Sequence, residues 1–207
     1  MRLINSPEDI AEGAAWLATQ EPRFAQVLPE LTPLPLRRSG DGFAALFHAI
    51  VSQQVSLASA AAIWTRLSDA SLTEAQALIR QSPEALRALG LSRQKARYAL
   101  ALAEAEIDYA ALRTAPDAQV IETLTQVPGI GVWTAEIYAM FSLGRADVFA
   151  PGDLALQEAA RLLFDLGARP SERALRQMAA QWSPWRSVAA RLLFAYYGLR
   201  KQKDNLT

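Results

Sequence analysis

Apolar residues recur along this chain at spacings of three and four from end to end, and no run of alternating apolar and polar positions argues for a strand. The pattern predicts an all-α protein. Ser6-Pro7-Glu8-Asp9 sets a capping residue before a proline and two acids, an order that opens a helix, and the periodicity carries it to about Thr19. Residues 22–35, rich in proline, read as a short helix plus a connector. Phe43, Leu46, Phe47, Ile50 and Val51 mark one buried face, which yields at Gln53-Gln54 to another helix over 56–67. Further helices are expected over 73–80, 83–89, 93–106, 117–125, 132–141, 154–164, 172–181 and 184–199, joined by short connections. The pairs at 43–67 and 117–141 read as helical hairpins, and no fixed-period repeat runs through the chain.

Composition sharpens this picture. Of 207 residues 40 are alanine, and arginine supplies 18 of the 21 basic residues, which favours helices and phosphate-type contacts over sheet. With no cysteine there is no disulfide framework, thiolate zinc site, cysteine nucleophile or cysteine-held iron–sulfur cluster. The single histidine, His48, leaves few ways to build a metal site or a catalytic triad, and its apolar neighbours suggest packing. No apolar run is long enough to span a membrane and the first residues do not resemble a signal peptide, so a cytoplasmic protein without membrane contact is expected. Net charge is zero, but it is uneven: residues 1–35 are acid-rich, and residues 170–207 carry seven bases against Glu172 and Asp204. That segment can form a basic face, or an ordinary solvated helix surface.

The most informative stretch is Val127-Pro128-Gly129-Ile130-Gly131-Val132-Trp133-Thr134-Ala135, a proline and two glycines between two helical patterns. Such a turn, with nothing projecting from it, aims free N–H groups at the start of the next helix outward, where a nucleic-acid phosphate could dock without a positive side chain. The plain alternative is a helix–helix connector. Farther on, Asp153 follows Pro151-Gly152 and opens a helix whose dipole favours a negative charge; aspartate before an apolar helix is also a common N-cap.

Taken together, this turn, Pro151-Gly152-Asp153 placed 22 positions after Gly131, Ala49-Ile50-Val51-Ser52-Gln53-Gln54-Val55-Ser56, Gly90-Leu91-Ser92 leading to Lys95-Ala96, and Trp182-Ser183-Pro184-Trp185-Arg186-Ser187 resemble the helix–hairpin–helix DNA glycosylase superfamily. The similarity runs roughly from Phe43 to Gly198 and lies with the AlkA-type, DNA-3-methyladenine glycosylase II branch. Bifunctional members carry a Schiff-base lysine two residues after the second hairpin glycine, where this chain has Trp133. The resemblance therefore implies monofunctional excision of alkylated purines from duplex DNA by a monomer, with no iron–sulfur cluster and no catalytic cofactor. The chain looks like a short form without the extra N-terminal domain of longer AlkA proteins.

The resemblance also implies roles for particular residues. Asp153 is the catalytic carboxylate, stabilising the positive charge that spreads over the sugar as the bond breaks. Trp133 and Phe194 offer aromatic faces to a charged base, with Tyr138 standing beside Ile137 where long AlkA proteins have a tyrosine. Gly129, Ile130, Gly131 and Thr134 contact DNA at the hairpin, and Gln53 or Gln54 fills the gap left by the flipped base. Main-chain carbonyls of Thr125, Val127 and Ile130 would hold a structural monovalent cation. Arg93, Lys95 and Arg97 read as a solvated helix face. The whole chain, 1–207, is expected to be one glycosylase domain of two lobes, about 38–150 and about 1–37 plus 151–207, with Trp133 and Asp153 in the cleft between them. The other readings are a non-catalytic DNA-binding module and a glycosylase for deaminated bases such as hypoxanthine or uracil.

Overall fold

A computed structural model describes residues 1–204. It divides the chain into two compact units, residues 39–138 and residues 1–38 with 139 to the C-terminus. Among the described residues the only extended pairing is a single bridge between Leu3 and Arg145, so the all-α expectation holds.

The central unit is built from α3 (Phe43–Ser52), α4 (Leu57–Asp69), α5 (Ala75–Leu78), α6 (Pro83–Ala88), α7 (Arg93–Glu104), α8 (Tyr109–Thr114), α9 (Asp117–Thr125) and α10 (Val132–Ile137). Helix α7 is its axis. Ala96, Ala99 and Leu102 are buried there against α3, α5 and α6, which contribute Phe47, Ile50, Leu78 and Leu86 to the same core. Small alanines on α7 allow these neighbours to approach closely. Capping follows sequence: Ser56, Ser82 and Ser92 each accept a main-chain N–H from the first turn of the helix they open.

The terminal unit holds α1 (Pro7–Gln20), α2 (Pro22–Leu31), α11 (Leu154–Leu163), α12 (Glu172–Ala179) and α13 (Arg186–Asp204). Ser6 caps α1 as expected, and the structure adds a reciprocal bond in which Asp9 accepts from Ser6 N–H. Trp182, in a 3₁₀ turn over Ala180–Trp182, centres an aromatic cluster with Phe24, Phe149 and Phe164 at 5.2, 5.5 and 5.9 Å.

Several expected boundaries move. The predicted helix over 132–141 is α10 followed by a π-helical turn, Tyr138–Ser142, and the change of unit falls at Tyr138 instead of near 150. Residues 139–150 join the terminal unit because main-chain bonds tie them there: Ile4 N–H to Gly144 O, Ala146 N–H to Arg2 O, and Ser187 N–H to Ala146 O. Helix α8 was not expected. It spans fewer than two turns and buries only Leu112, too little for a period to show, although Asp108 caps it by accepting from Ala111 N–H.

Candidate functional site

The Pro-Gly-x-Gly segment forms a tight turn between α9 and α10. Val127 N–H donates to Leu124 O and Ile130 N–H to Val127 O. Gly129 has φ +95°, and a Cβ there would lie 2.4 Å from the Tyr98 ring, so the position excludes a side chain on both counts. Gly131 differs. Its φ of −88° is ordinary for any residue and nothing stands within 4 Å of where its Cβ would be, so a side chain could be placed there without backbone strain. It is the N-cap of α10 with no side-chain cap bond, opening the helix onto free space. Val132 and Trp133, the first residues of α10, are 46 and 44% exposed.

Two hairpin residues are placed otherwise than expected for DNA contact. The Ile130 N–H is spent inside the turn and its side chain is buried, while the Thr134 side chain is buried in the central unit. The turn presents Gly131 and the exposed Val132 and Trp133 instead.

The two glutamines part company. Gln53 ends α3, half-buried, and its side-chain amide donates to Gly129 O at 3.0 Å. Gln54 is exposed and sits in the left-handed region at φ +54°, at the apex of the turn before α4. Lys95 also departs from expectation: it is 9% exposed, and its Nζ donates to Val51 O at 2.7 Å. Burial pushes its pKa below the usual lysine range. Arg93 and Arg97 are exposed, as expected.

In the terminal unit Asp153 is the N-cap of α11. Its Oδ1 accepts from Ala155 N–H at 2.8 Å and Leu156 N–H at 3.2 Å, and its own N–H donates to Ala150 O. The loop leading to it is clamped by the Trp182–Ser187 motif. Arg186 gives Asp147 two bonds, at 2.7 and 3.0 Å, and Ser183 Oγ gives a third at 2.8 Å. Ser187 Oγ bridges the carbonyls of Arg145 and Val148, and Gln157 Nε2 donates to Pro151 O. The catalytic candidate is thus held from both sides, by Asp147 and Gln157 together with residues of a motif to which the sequence alone assigned no role.

The remaining candidates vary. Tyr138 is buried, its hydroxyl accepts from Gly42 N–H at 2.8 Å, and burial pushes its pKa up to about 12. A phenol so engaged is a packing element of the central unit, which corrects the expectation that it faces a base. Phe194, on α13, lies beside Phe141 and under the Arg37 guanidinium at 5.1 Å. His48 is exposed and edges the Trp64 ring at 4.8 Å, a packing contact. Four of the seven C-terminal bases are engaged within the protein: Arg186 pairs with Asp147, Arg176 with Glu172 and Lys203 with Glu30, while Arg191 is fully buried among the carbonyls of Leu36, Ser187 and Met140.

The profile of the HhH-GPD superfamily of base excision DNA repair proteins matches residues 47–184, and the chain belongs to this superfamily. The proteins it resembles include several named for 3-methyladenine. It is 32% identical over 178 residues to DNA-3-methyladenine glycosylase 2 of Escherichia coli K12, covering 79% of this chain and 60% of that protein. It spans 39% of a putative DNA-3-methyladenine glycosylase of Bacillus subtilis. Among solved structures it resembles a DNA-3-methyladenine glycosidase of Bacillus halodurans, with TM-score 0.80, 33% identity and coverage of 98% of this chain and 95% of that one. It also resembles the 3-methyladenine DNA glycosylase Mag1 of Schizosaccharomyces pombe in complex with abasic DNA, with TM-score 0.77, 26% identity and coverage of 88 and 95%. No helix among the described residues is long and apolar enough to cross a membrane.

Proposed function

We propose that this protein is a monofunctional DNA glycosylase that hydrolyses the N-glycosidic bond of alkylated purines, of the 3-methyladenine and 7-methylguanine type, in duplex DNA. The observation that carries the reading is Asp153, held at a helix N-terminus by two main-chain N–H bonds on a clamped loop. Similarity to the named alkyladenine glycosylases supports the substrate class.

Alkylation at N3 or N7 gives the purine a positive charge and weakens its bond to the sugar, so no acid is required to protonate the leaving base. As the base departs with the bonding electrons, C1′ becomes cationic. The Asp153 carboxylate stabilises that charge, a water oxygen then bonds to C1′, and the water proton is given up to carboxylate or solvent. Trp133 stacks on the charged base and selects it by cation–π attraction, with Phe194 a second aromatic candidate. Gln54 enters the gap in the duplex, and the turn at Gly131 meets a backbone phosphate through main-chain N–H groups.

The carbonyls of Thr125, Val127 and Ile130 are hard oxygen donors, and Thr125 ends α9 where the helix dipole is negative. The Val127 carbonyl also accepts from Ile130 N–H, which leaves it a second lone pair. The set fits a monovalent cation that would stiffen the turn and take no chemical step.

The deciding experiment incubates the protein with duplexes each bearing one defined lesion and measures free base and alkali-sensitive sites. Released alkylpurine, with strands intact until alkali and no borohydride-trapped adduct, is the expected result. Binding without turnover would make the protein a non-catalytic grip on DNA, and release of hypoxanthine or uracil alone would move the substrate to deaminated bases.

The clamp yields a further expectation. Asp147→Ala removes three bonds from a partly exposed site and leaves Arg186 unpaired, lowering stability by about 1–3 kcal/mol. Because the Asp153 loop loosens, base release at saturating enzyme should slow by roughly tenfold or more while DNA affinity stays near parental. Denaturant titration and single-turnover kinetics check the two parts separately.

A further inference from the structure

Two turns of the central unit face DNA in the proposed function, and one helix lies behind both. Lys95 reaches from α7 to Val51 O, in the last turn of α3, where an ammonium meets the negative end of the helix. Two residues later the chain makes the Gln53-Gln54 turn. One helical turn along α7 from Lys95, the Tyr98 ring lies so close to Gly129 that no Cβ fits there, and the Tyr98 hydroxyl accepts from Gln94 Nε2 at 2.5 Å. Gln53 closes the frame by donating to Gly129 O at 3.0 Å. A chain of contacts thus runs from α7 to the first turn, across to the hairpin, and back to α7.

We propose that Lys95, Tyr98 and Gln53 are positioning residues that lock the Gln54 turn and the hairpin into one rigid frame, so that gripping a phosphate and filling the gap beneath a flipped base are a single coupled event. The inference rests on the glycosylase reading and adds to it. Contacts that tie separate segments to one helix transmit displacement between them, because a packed interior does not deform continuously. Gln53, although next to the wedge residue, acts on the hairpin. Tyr98, although behind the hairpin, holds the side to which Gln53 is bonded.

The test uses two readouts on the full chain: affinity for undamaged duplex, which reports the phosphate grip, and the fluorescence of 2-aminopurine at the flipping site, measured at saturating protein. Gln54→Ala is the local reference and should lower the fluorescence change, with a smaller loss of undamaged-duplex affinity than Gln53→Ala shows. Gln53→Ala should weaken undamaged-duplex binding by roughly three- to tenfold, the scale of one lost hydrogen bond, and should also reduce the fluorescence change. Tyr98→Phe, which keeps the ring against Gly129, should remain near parental in both, whereas Tyr98→Ala should lower both. Lys95→Met should reduce both, with recovery in Lys95→Arg. Gln53 is half-buried at a helix end, so its alanine variant gives a folded protein whether or not the α7 variants do.

If Gln53→Ala behaves like Gln54→Ala, the turns act independently and the coupling is overturned while the glycosylase reading stands. A parental protein that neither binds duplex nor releases base would overturn that reading, and the coupling with it.

Discussion

Asp153→Asn is expected to bind damaged duplex almost as tightly as the parent and to release base at least about 10²-fold more slowly, the scale seen when a preorganised electrostatic partner is lost. The structure makes this substitution informative. An asparagine oxygen can still accept the N–H groups of Ala155 and Leu156, since asparagine caps helices as well as aspartate does. The cap and the loop conformation therefore survive, and only the negative charge is removed. Single-turnover kinetics at saturating enzyme, with the thermal midpoint measured alongside, separates loss of chemistry from loss of fold. A folded Asn variant that releases base at the parental rate would show that the carboxylate only caps α11.

Gly131→Asp should move stability and DNA binding in opposite directions. Gly131 is the N-cap of α10, has φ −88°, and has open space where a Cβ would be built. Aspartate fits there without strain and is a preferred capping residue, so stability should hold or rise by a few tenths of a kcal/mol, roughly the difference between glycine and aspartate at an N-cap. The same carboxylate occupies the N–H groups that a phosphate would use and repels the anion. Affinity for damaged and undamaged duplex alike should fall roughly ten- to a hundredfold, because a phosphate contact positions the duplex without reading its bases. Gly129 could not serve for this test, since its positive φ and the adjacent Tyr98 ring would damage the turn itself. Titration of both duplexes at two salt concentrations, with thermal melts, supplies the check. Unchanged binding by a folded Gly131→Asp would reduce the turn to a connector.

Much of the central chemistry can be read locally. The hairpin is legible because proline and paired glycines between two periodic stretches have few other uses, and Asp153 because a cap is a property of a few adjacent residues. Its neighbours across the chain are not local. Asp147 and Arg186 lie 39 positions apart, and Gln53 and Gly129 lie 76 apart. Nothing in either segment alone shows that they pair.

Lys95 is an instructive middle case. Reading Arg93, Lys95 and Arg97 as one charged face groups them by proximity in sequence, yet a helix turns about 100° per residue. Arg93 and Arg97 share a face, and Lys95 points the opposite way, into the core beside Ala96 and Ala99. The period held that information. Tyr138 went the other way: its place after Ile137 suggested a base-facing aromatic, but its side chain is buried and its hydroxyl accepts from Gly42 N–H, 96 positions away.

The sequence by itself determined that the protein is helical, that a glycine turn and a capped aspartate stand in a given order, and that neither a Schiff-base lysine two residues after Gly131 nor a cysteine cluster is present, because each is decided by residue identity and short-range spacing. The tertiary structure alone decided which unit residues 139–150 join, which glutamine braces the hairpin and which stands exposed, and what holds the Asp153 loop. Those outcomes depend on pairings between distant segments, and a hydrogen bond or ion pair forms only where folding brings donor and acceptor within reach, at distances that no local pattern encodes.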